Sequence, residues 1–268
     1  MYMQIIKNKE QADAAWLDQS KKLDPLKDGI SSVELLRVSG TDLDIANAAR
    51  VSYGRVSEAV SERDVKLINF LMEHNHSSPF EHNQLSFRIK APIFVTRQWM
   101  RHRMNSYNEI SYRYVKVGTE FYIPQTWRFQ DQDNKQSSFG AFTDETITAE
   151  YKRSLEQSYA HYNKMLEAGV CREQARAILP VATYTEFIYT CNLRSLMNFL
   201  QLRLGHGAQS EIREFAKSLL QLAFPHFPIA LEAWRKKYFT TQEWEGQLHD
   251  WTDKEWEDQL KEWTDQLG

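Results

Sequence analysis

The sequence predicts a single α+β domain, rich in helix, built around a small mixed or antiparallel sheet. Short β-branched, aromatic or alternating runs read as strands, and longer runs with a period near 3.6 read as helices between them. Neither a Gly/Ser-rich linker nor a repeat of solenoid length divides the 268 residues. Hydrophobic residues make up 42% of the chain, enough to close one core.

Residues 1–31 form a peripheral segment with room for one helix. Val33 to Val38 predicts a strand, followed by a helix over Asp42 to Arg50. Ser61 predicts the N-cap of a second helix, with Val65, Leu67, Phe70 and Leu71 as its apolar stripe and an end near His74. Leu85, Phe87 and Ile89 alternate with polar residues as in a half-buried strand. Pro92 then separates this strand from a helical run, Ile93 to about Arg103. Asn105 to Tyr114 has no clear period and reads as an ordered loop. Ile147, Tyr151, Leu155, Tyr159, Tyr162 and Leu166 recur every three or four residues, predicting a long amphipathic helix that Gly169 terminates. A short helix reaches Pro180, Val181 to Thr190 reads as a strand, and helices follow over about Leu193–Leu204 and Ala208–Phe224. Pro225 and Pro228 break the chain before a last amphipathic helix. The domain is thus expected over 32–238, with an appendage over 239–268.

The net charge of −3 conceals an uneven distribution. Residues 241–268 hold nine Asp/Glu against two Lys, so the rest of the chain is basic. Between 82 and 119, Arg88, Lys90, Arg97, Arg101, Arg103, Arg113 and Lys116 face a single acid, Glu109. An anionic ligand is expected there, because the planar arginine fork pairs with phosphate oxygens. Phe94, Trp99, Tyr107, Tyr112 and Tyr114 interleave with these cations, so single-stranded nucleic acid is the alternative partner. Cys171 and Cys191 stand apart and form no disulfide framework. The first ten residues lack the apolar core of a signal peptide and no stretch approaches about 18 apolar residues, so a cytoplasmic location without a membrane partner is expected.

Arg101 and Arg103 would point about 200° apart on a helix, so the pair predicts two anions or a helix that ends between them. Ser111 has no evident neighbouring base and reads as a hydroxyl donor to a ligand rather than a nucleophile. His74, His76, His82 and Glu81 lack the spacing of a zinc site, and no metal is expected. Gly205, Gly207 and Ser210 contain a GxG without its third glycine, so the dinucleotide fingerprint is missing. Arg194, Asn198 and Gln201 share one helical face, with Asn192 and Asn198 also suited to capping or bridging helices.

The string Arg101-His102-Arg103, seven residues, then Ser111, within RHRMNSYNEISYRY, resembles the signature of flavin-dependent thymidylate synthases. AARVSYGR, HSSPFEH, APIFVTRQW and NLRSLMNFLQLR extend the resemblance over roughly 32–235. It implies a homotetramer with active sites shared between subunits, binding FAD and dUMP, with NADPH and methylenetetrahydrofolate as co-substrates. It assigns FAD to His76, Ser78, Arg101, His102, Arg103, Glu109, Asn192, Arg194 and Asn198, with His76 near the flavin ring. It assigns dUMP to Gln98, Arg101, Glu109, Ile110, Ser111, Arg113, Arg176 and Arg203. Arg203 is the implied catalytic residue, its permanent charge suited to stabilising negative charge on the uracil. The family often places a histidine four residues beyond this arginine; here His206 stands at three and Gly207 at four, so a ring-stacking role does not carry over. Neither cysteine matches the nucleophile of the cysteine-dependent thymidylate synthases.

Outside the resemblance, EWEGQLHDWTDK from Glu243 is echoed by EWEDQLKEWTDQ from Glu255. Each copy places Trp, Leu and Trp on one helical face, and Thr240–Glu243 and Thr252–Glu255 have capping-box spacing, predicting two short helices.

Overall fold

The computed structural model describes residues 22–205 and 207–239. Most of the N-terminal segment, His206 and the duplicated tail lie outside the described residues. Five strands form one antiparallel sheet: β1 (Lys22–Leu23), β2 (Ser32–Ser39), β3 (Gln84–Pro92), β4 (Ser106–Glu109) and β7 (Tyr184–Cys191), in the order β1-β2-β3-β7-β4. A separate hairpin joins β5 (Trp127–Gln130) to β6 (Ser138–Phe142).

The central pair β3 and β7 aligns Leu85 with Cys191, Phe87 with Tyr189 and Ile89 with Phe187, and all six side chains are buried. Burial on both central strands follows from helices packed over them. The helices are α1 (Asp42–Arg50), α2 (Glu62–Glu73), α3 (Ile93–Trp99), α4 (Glu145–Glu167), α5 (Arg172–Ala175), α6 (Leu193–Leu204), α7 (Ser210–Ala223) and α8 (Pro228–Phe239). Trp99 at the end of α3 is the aromatic hub of the core. Its ring meets Phe187 and Tyr189 of the sheet edge-on at 5.4 and 5.6 Å, Phe199 of α6 at 4.8 Å and Phe215 of α7 at 5.8 Å. Pro228 opens α8, where a missing N–H costs nothing. Buried Asp42 at the start of α1 accepts the Ile229 and Ala230 amides at 2.9 and 3.0 Å, so it caps α8 from across the fold.

Four sequence expectations change. The buried face of α2 is Asp64, Ile68, Leu71 and Met72, whereas Val65 and Phe70 are 37% and 49% exposed. Asp64 turns inward because it completes a capping box with Ser61 and pairs with Arg50, and the helix rotates with it. Helix α3 stops at Trp99, four residues before the expected Arg103. Its last turn tightens into the bonds Arg101 N to Gln98 O and His102 N to Trp99 O, 3.4 and 3.0 Å. The expected loop at 105–114 contains edge strand β4, paired with β7 through Tyr107 and Tyr189. A short edge strand with only Tyr107 turned toward the core leaves no alternating signature. The β5–β6 hairpin had no element assigned to it; a polar connection and Gly140 at φ +57° hide its period.

Candidate active site

The end of α3 and the turn after it place the basic motif against the end of α6. His102 is buried, 7% exposed, with its ring 4.8 Å from Phe199. Arg203, on the last turn of α6, donates Nε–H to His102 Nε2 at 3.0 Å and Nη2–H to the Gln98 carbonyl at 3.2 Å. A guanidinium has no acceptor, so His102 Nε2 must be unprotonated. Burial, then the charge of Arg203, pushes the His102 pKa down to about 4, which keeps the ring neutral. The Tyr107 hydroxyl and Asn105 amide donate to the His102 carbonyl at 2.8 and 3.1 Å and hold the turn. The Gln98 side chain donates to Gln209, the N-cap residue of α7. Burial and the nearby Arg101 lower the Arg203 pKa, so two guanidinium groups share this corner of the molecule.

Beside the turn, a cavity of about 420 Å³ is lined by Arg97, Glu109, Ile110, Tyr112 and Arg176, with Ile93 and Thr96 of α3 behind them. Glu109 accepts the Thr185 hydroxyl at 2.7 Å, and the Ile110 amide donates to the Glu186 carbonyl at 2.9 Å, so β7 holds this wall. Ser111 lies within a local turn: its hydroxyl accepts the Arg113 amide at 3.3 Å and its carbonyl the Tyr114 amide at 2.9 Å. Arg113 is exposed and pairs with Glu173 at 2.9 Å.

A second cavity, of about 290 Å³, lies between α2, α6 and α8. Arg194, Asn198 and Gln201 line one side, Asn75 and Ser77 another, and Trp234 and Tyr238 the third. The shared helical face of Arg194, Asn198 and Gln201 is therefore a cavity wall. Arg194 also pairs with Glu81, at the end of the 3-10 turn that Ser78 opens. His76 is exposed, its ring 5.7 Å from Phe70 and 6.3 Å from His74. Asn192 is the N-cap of α6 and accepts the Ser195 amide at 2.8 Å, a structural use of that side chain.

The structure brings Gln98, His102 and Arg203 together, places Glu109, Ile110 and Arg176 on the 420 Å³ cavity and Arg194 and Asn198 on the 290 Å³ cavity; His76, Ser78, Arg101, Arg103, Ser111, Arg113 and Asn192 line neither cavity. Sequence reasoning missed Gln209 and Trp234, and named Arg97 only as one of the seven cations of the basic segment. Only Gln209 had a signal, its place six residues after Arg203 on the way into α7.

Three of the seven cations of the basic segment are neutralised within the chain. Arg88 lies near Glu34 and Glu186, Lys90 pairs with Glu120 and Arg113 with Glu173. Among the described residues, Arg97, Arg101, Arg103 and Lys116 form no ion pair. This pattern breaks the continuous stripe that a nucleic-acid strand requires and concentrates free charge around α3 and its turn. A cofactor with a diphosphate and an aromatic ring fits the set. The unpaired arginines suit phosphate oxygens, and Trp234, whose buried indole N–H has no acceptor among the described residues, is among the residues lining the cavity with Arg194 and Asn198.

Known proteins are similar to this chain over most of its length. The family described as "Thymidylate synthase complementing protein" matches residues 34–229. The chain is 45% identical over 204 residues to the flavin-dependent thymidylate synthase of Thermus thermophilus, covering 76% of this chain and 75% of that protein. The chain belongs to the flavin-dependent thymidylate synthase family. Another member of the family, from Thermotoga neapolitana, is 44% identical over 204 residues, 76% of this chain and 90% of that protein. A solved structure described as the UMP/dUMP methylase PolB of Streptomyces cacaoi, bound with 5-Br dUMP, superposes with a TM-score of 0.72. It is 35% identical and covers 77% of this chain and 95% of that one. No described helix is long and apolar enough to cross a membrane.

Proposed function

We propose that the chain methylates dUMP to dTMP, with methylenetetrahydrofolate as carbon donor and FAD, reduced by NADPH, as hydride carrier. Family membership supports the flavin chemistry, and the dUMP analogue in the PolB structure supports the pyrimidine substrate. The observation that carries the reading is the set of arginines left without carboxylates around the α3 turn, beside an Arg203 whose guanidinium is already held. Arg101 and Arg203 repel each other, and an anion between or beside them relieves that repulsion.

In this reading Gln98, Arg101, Glu109, Ile110, Ser111, Arg113, Arg176 and Arg203 bind dUMP. Arg97, Arg113 and Arg176 supply charge for its phosphate, and Arg113 exchanges Glu173 for it. His76, Ser78, Arg101, Arg103, Glu109, Asn192, Arg194 and Asn198 surround the flavin, with Asn192 fixing the start of α6 and His102 holding the turn that carries Arg101 and Arg103 rather than contacting the flavin with its side chain. When bound, the reduced flavin supplies a hydride for the pyrimidine. Arg203 faces the uracil carbonyl region, where a fixed guanidinium stabilises negative charge on the ring without a proton transfer of its own. The three separate clusters within one chain favour active sites completed by neighbouring copies, as in a homotetramer in the cytoplasm.

The reading is tested by incubating the purified protein with dUMP, methylenetetrahydrofolate, NADPH and FAD. dTMP should form and should cease when any one of the four is withheld. Absence of dTMP with all four present sinks the proposal. Light scattering at working concentration checks the tetramer.

A further inference from the structure

We propose that His102 is a positioning residue for Arg203: its imidazole Nε2 accepts the Arg203 Nε–H and, with the Gln98 carbonyl on Nη2, fixes the plane of the guanidinium for the pyrimidine. This rests on the reading of Arg203 as the group that stabilises charge on dUMP. The resemblance instead assigns His102 to the flavin. The geometry directs it elsewhere, since its Nε2 is occupied by an intramolecular bond of 3.0 Å.

Donor accounting gives the contact its meaning. A guanidinium carries five N–H groups in a rigid fork. Two of them are bound within the chain, one to His102 and one to the Gln98 carbonyl. Among the described residues the other three have no acceptor, and they point wherever the first two dictate. A lysine or a freely rotating arginine would have to be ordered at the moment of reaction, whereas this fork is ordered beforehand.

The turn that carries His102 is itself fixed. Its carbonyl is held by Tyr107 and Asn105, and its ring packs on Phe199, one helical turn before Arg203 on α6. Gln98 is braced by Gln209 at the start of α7. The charge that reaches the imidazole is that of Arg203 from α6, while Phe199 packs on the ring without charge. Burial and this one cation favour the neutral ring, the only form that accepts from a guanidinium.

The test compares His102→Leu, which removes the acceptor, with His102→Gln, whose side-chain oxygen can occupy the place of Nε2. Each is made in the parent and in an Arg203→Ala background. His102→Leu is expected to lower kcat by about 100-fold, comparable to misplacing one transition-state donor. FAD affinity of the apoprotein, measured by titration, is expected to stay within about threefold of the parent, and His102→Gln to recover most of the turnover. In the Arg203→Ala background His102→Leu should add no further loss, because a residue acting through Arg203 has nothing left to act on. Nitrogen NMR of the flavin-free protein with labelled histidine should show His102 protonated on Nδ1 alone at pH 6, a readout independent of any variant's folding. A full additional loss in the Arg203→Ala background, a collapse of FAD affinity that Gln does not rescue, or an Nε2-protonated ring overturns the proposal. Parent-like turnover by Arg203→Ala alone would instead overturn the assignment of Arg203.

Discussion

Helix α6 and the turn after α3 both carry arginines toward the site, yet they treat them differently. On α6, Arg194 pairs with Glu81 and Arg203 binds His102 and the Gln98 carbonyl. On the turn, Arg101 and Arg103 are exposed and form no ion pair among the described residues. The helix thus presents cations whose directions are set by the chain, and the turn presents cations whose partners must come from outside it. A held guanidinium suits charge that develops during a reaction. A loose one suits charge that is already present on a ligand, such as a phosphate.

The largest expected effect follows from breaking the held side. Arg203→Ala should lower kcat for dTMP formation by about 100- to 1,000-fold, the range for loss of one preorganised donor. Arg203→Lys should not restore it, because a single ammonium cannot engage His102 and the Gln98 carbonyl in one plane. Steady-state kinetics with saturating FAD decides this, and a lysine variant with parent kcat would refute the planar role.

Breaking the loose side should give the opposite signature. Arg101→Ala should weaken binding of dUMP or FAD by about tenfold or more, through loss of a ligand contact. The ligand-free protein should unfold at the same temperature as the parent or slightly higher, since the repulsion between Arg101 and Arg203 is removed. Calorimetry of the apoprotein showing a marked loss of stability would mean that Arg101 has a structural partner.

A pH titration of stability sharpens the comparison further. The folded-state pKa of His102 is about 4, below its ordinary value of 6.5. As pH falls through 6.5 the unfolded chain takes up a proton that the folded chain refuses, so stability falls until about pH 4 and levels off below it. Above pH 6.5 this contribution is fully present and constant. His102→Gln should flatten the slope of unfolding temperature between pH 6.5 and 4; an unchanged slope would show that other groups carry it.

The helix side was also the more legible in the sequence. Helices α1 and α6 lie where they are expected, around 42–50 and about 193–204, because a 3.6-residue period is a local signal. The strand at 85–89 was legible from its two-residue alternation, and the one expected at 181–190 from its β-branched and aromatic residues, though β7 begins at Tyr184. The turn side was not: the end of α3 is set by packing of Trp99 and by bonds from Tyr107, and β4 exists because β7 offers an edge. Site residues followed the same division. Arg194, Asn198 and Gln201 could be placed on one face from spacing alone, whereas the His102–Arg203 contact spans 101 positions and has no local trace. Trp234 reads as an ordinary core residue until the cavity beside it is seen.

Two smaller effects test the edges of the account. Ser111→Ala should weaken dUMP binding by about 1 kcal/mol with turnover retained, since the hydroxyl sits in a turn with no base evident beside it. A covalent adduct on Ser111, detected by mass spectrometry, would contradict this. A chain ending after Phe239, which keeps the 4.9 Å contact between Phe239 and Trp234, should still bind FAD and dUMP and differ mainly in thermal stability. Loss of flavin binding by a folded truncated protein would place the duplicated tail in the active site.

The most direct measurement is dTMP formation from dUMP by the purified protein, with FAD, NADPH and methylenetetrahydrofolate, for the parent and Arg203→Ala side by side. The account predicts turnover in the parent that stops when FAD is omitted and falls by about 100-fold or more in the variant. Turnover that persists without flavin, or equal rates in the two proteins, would contradict it.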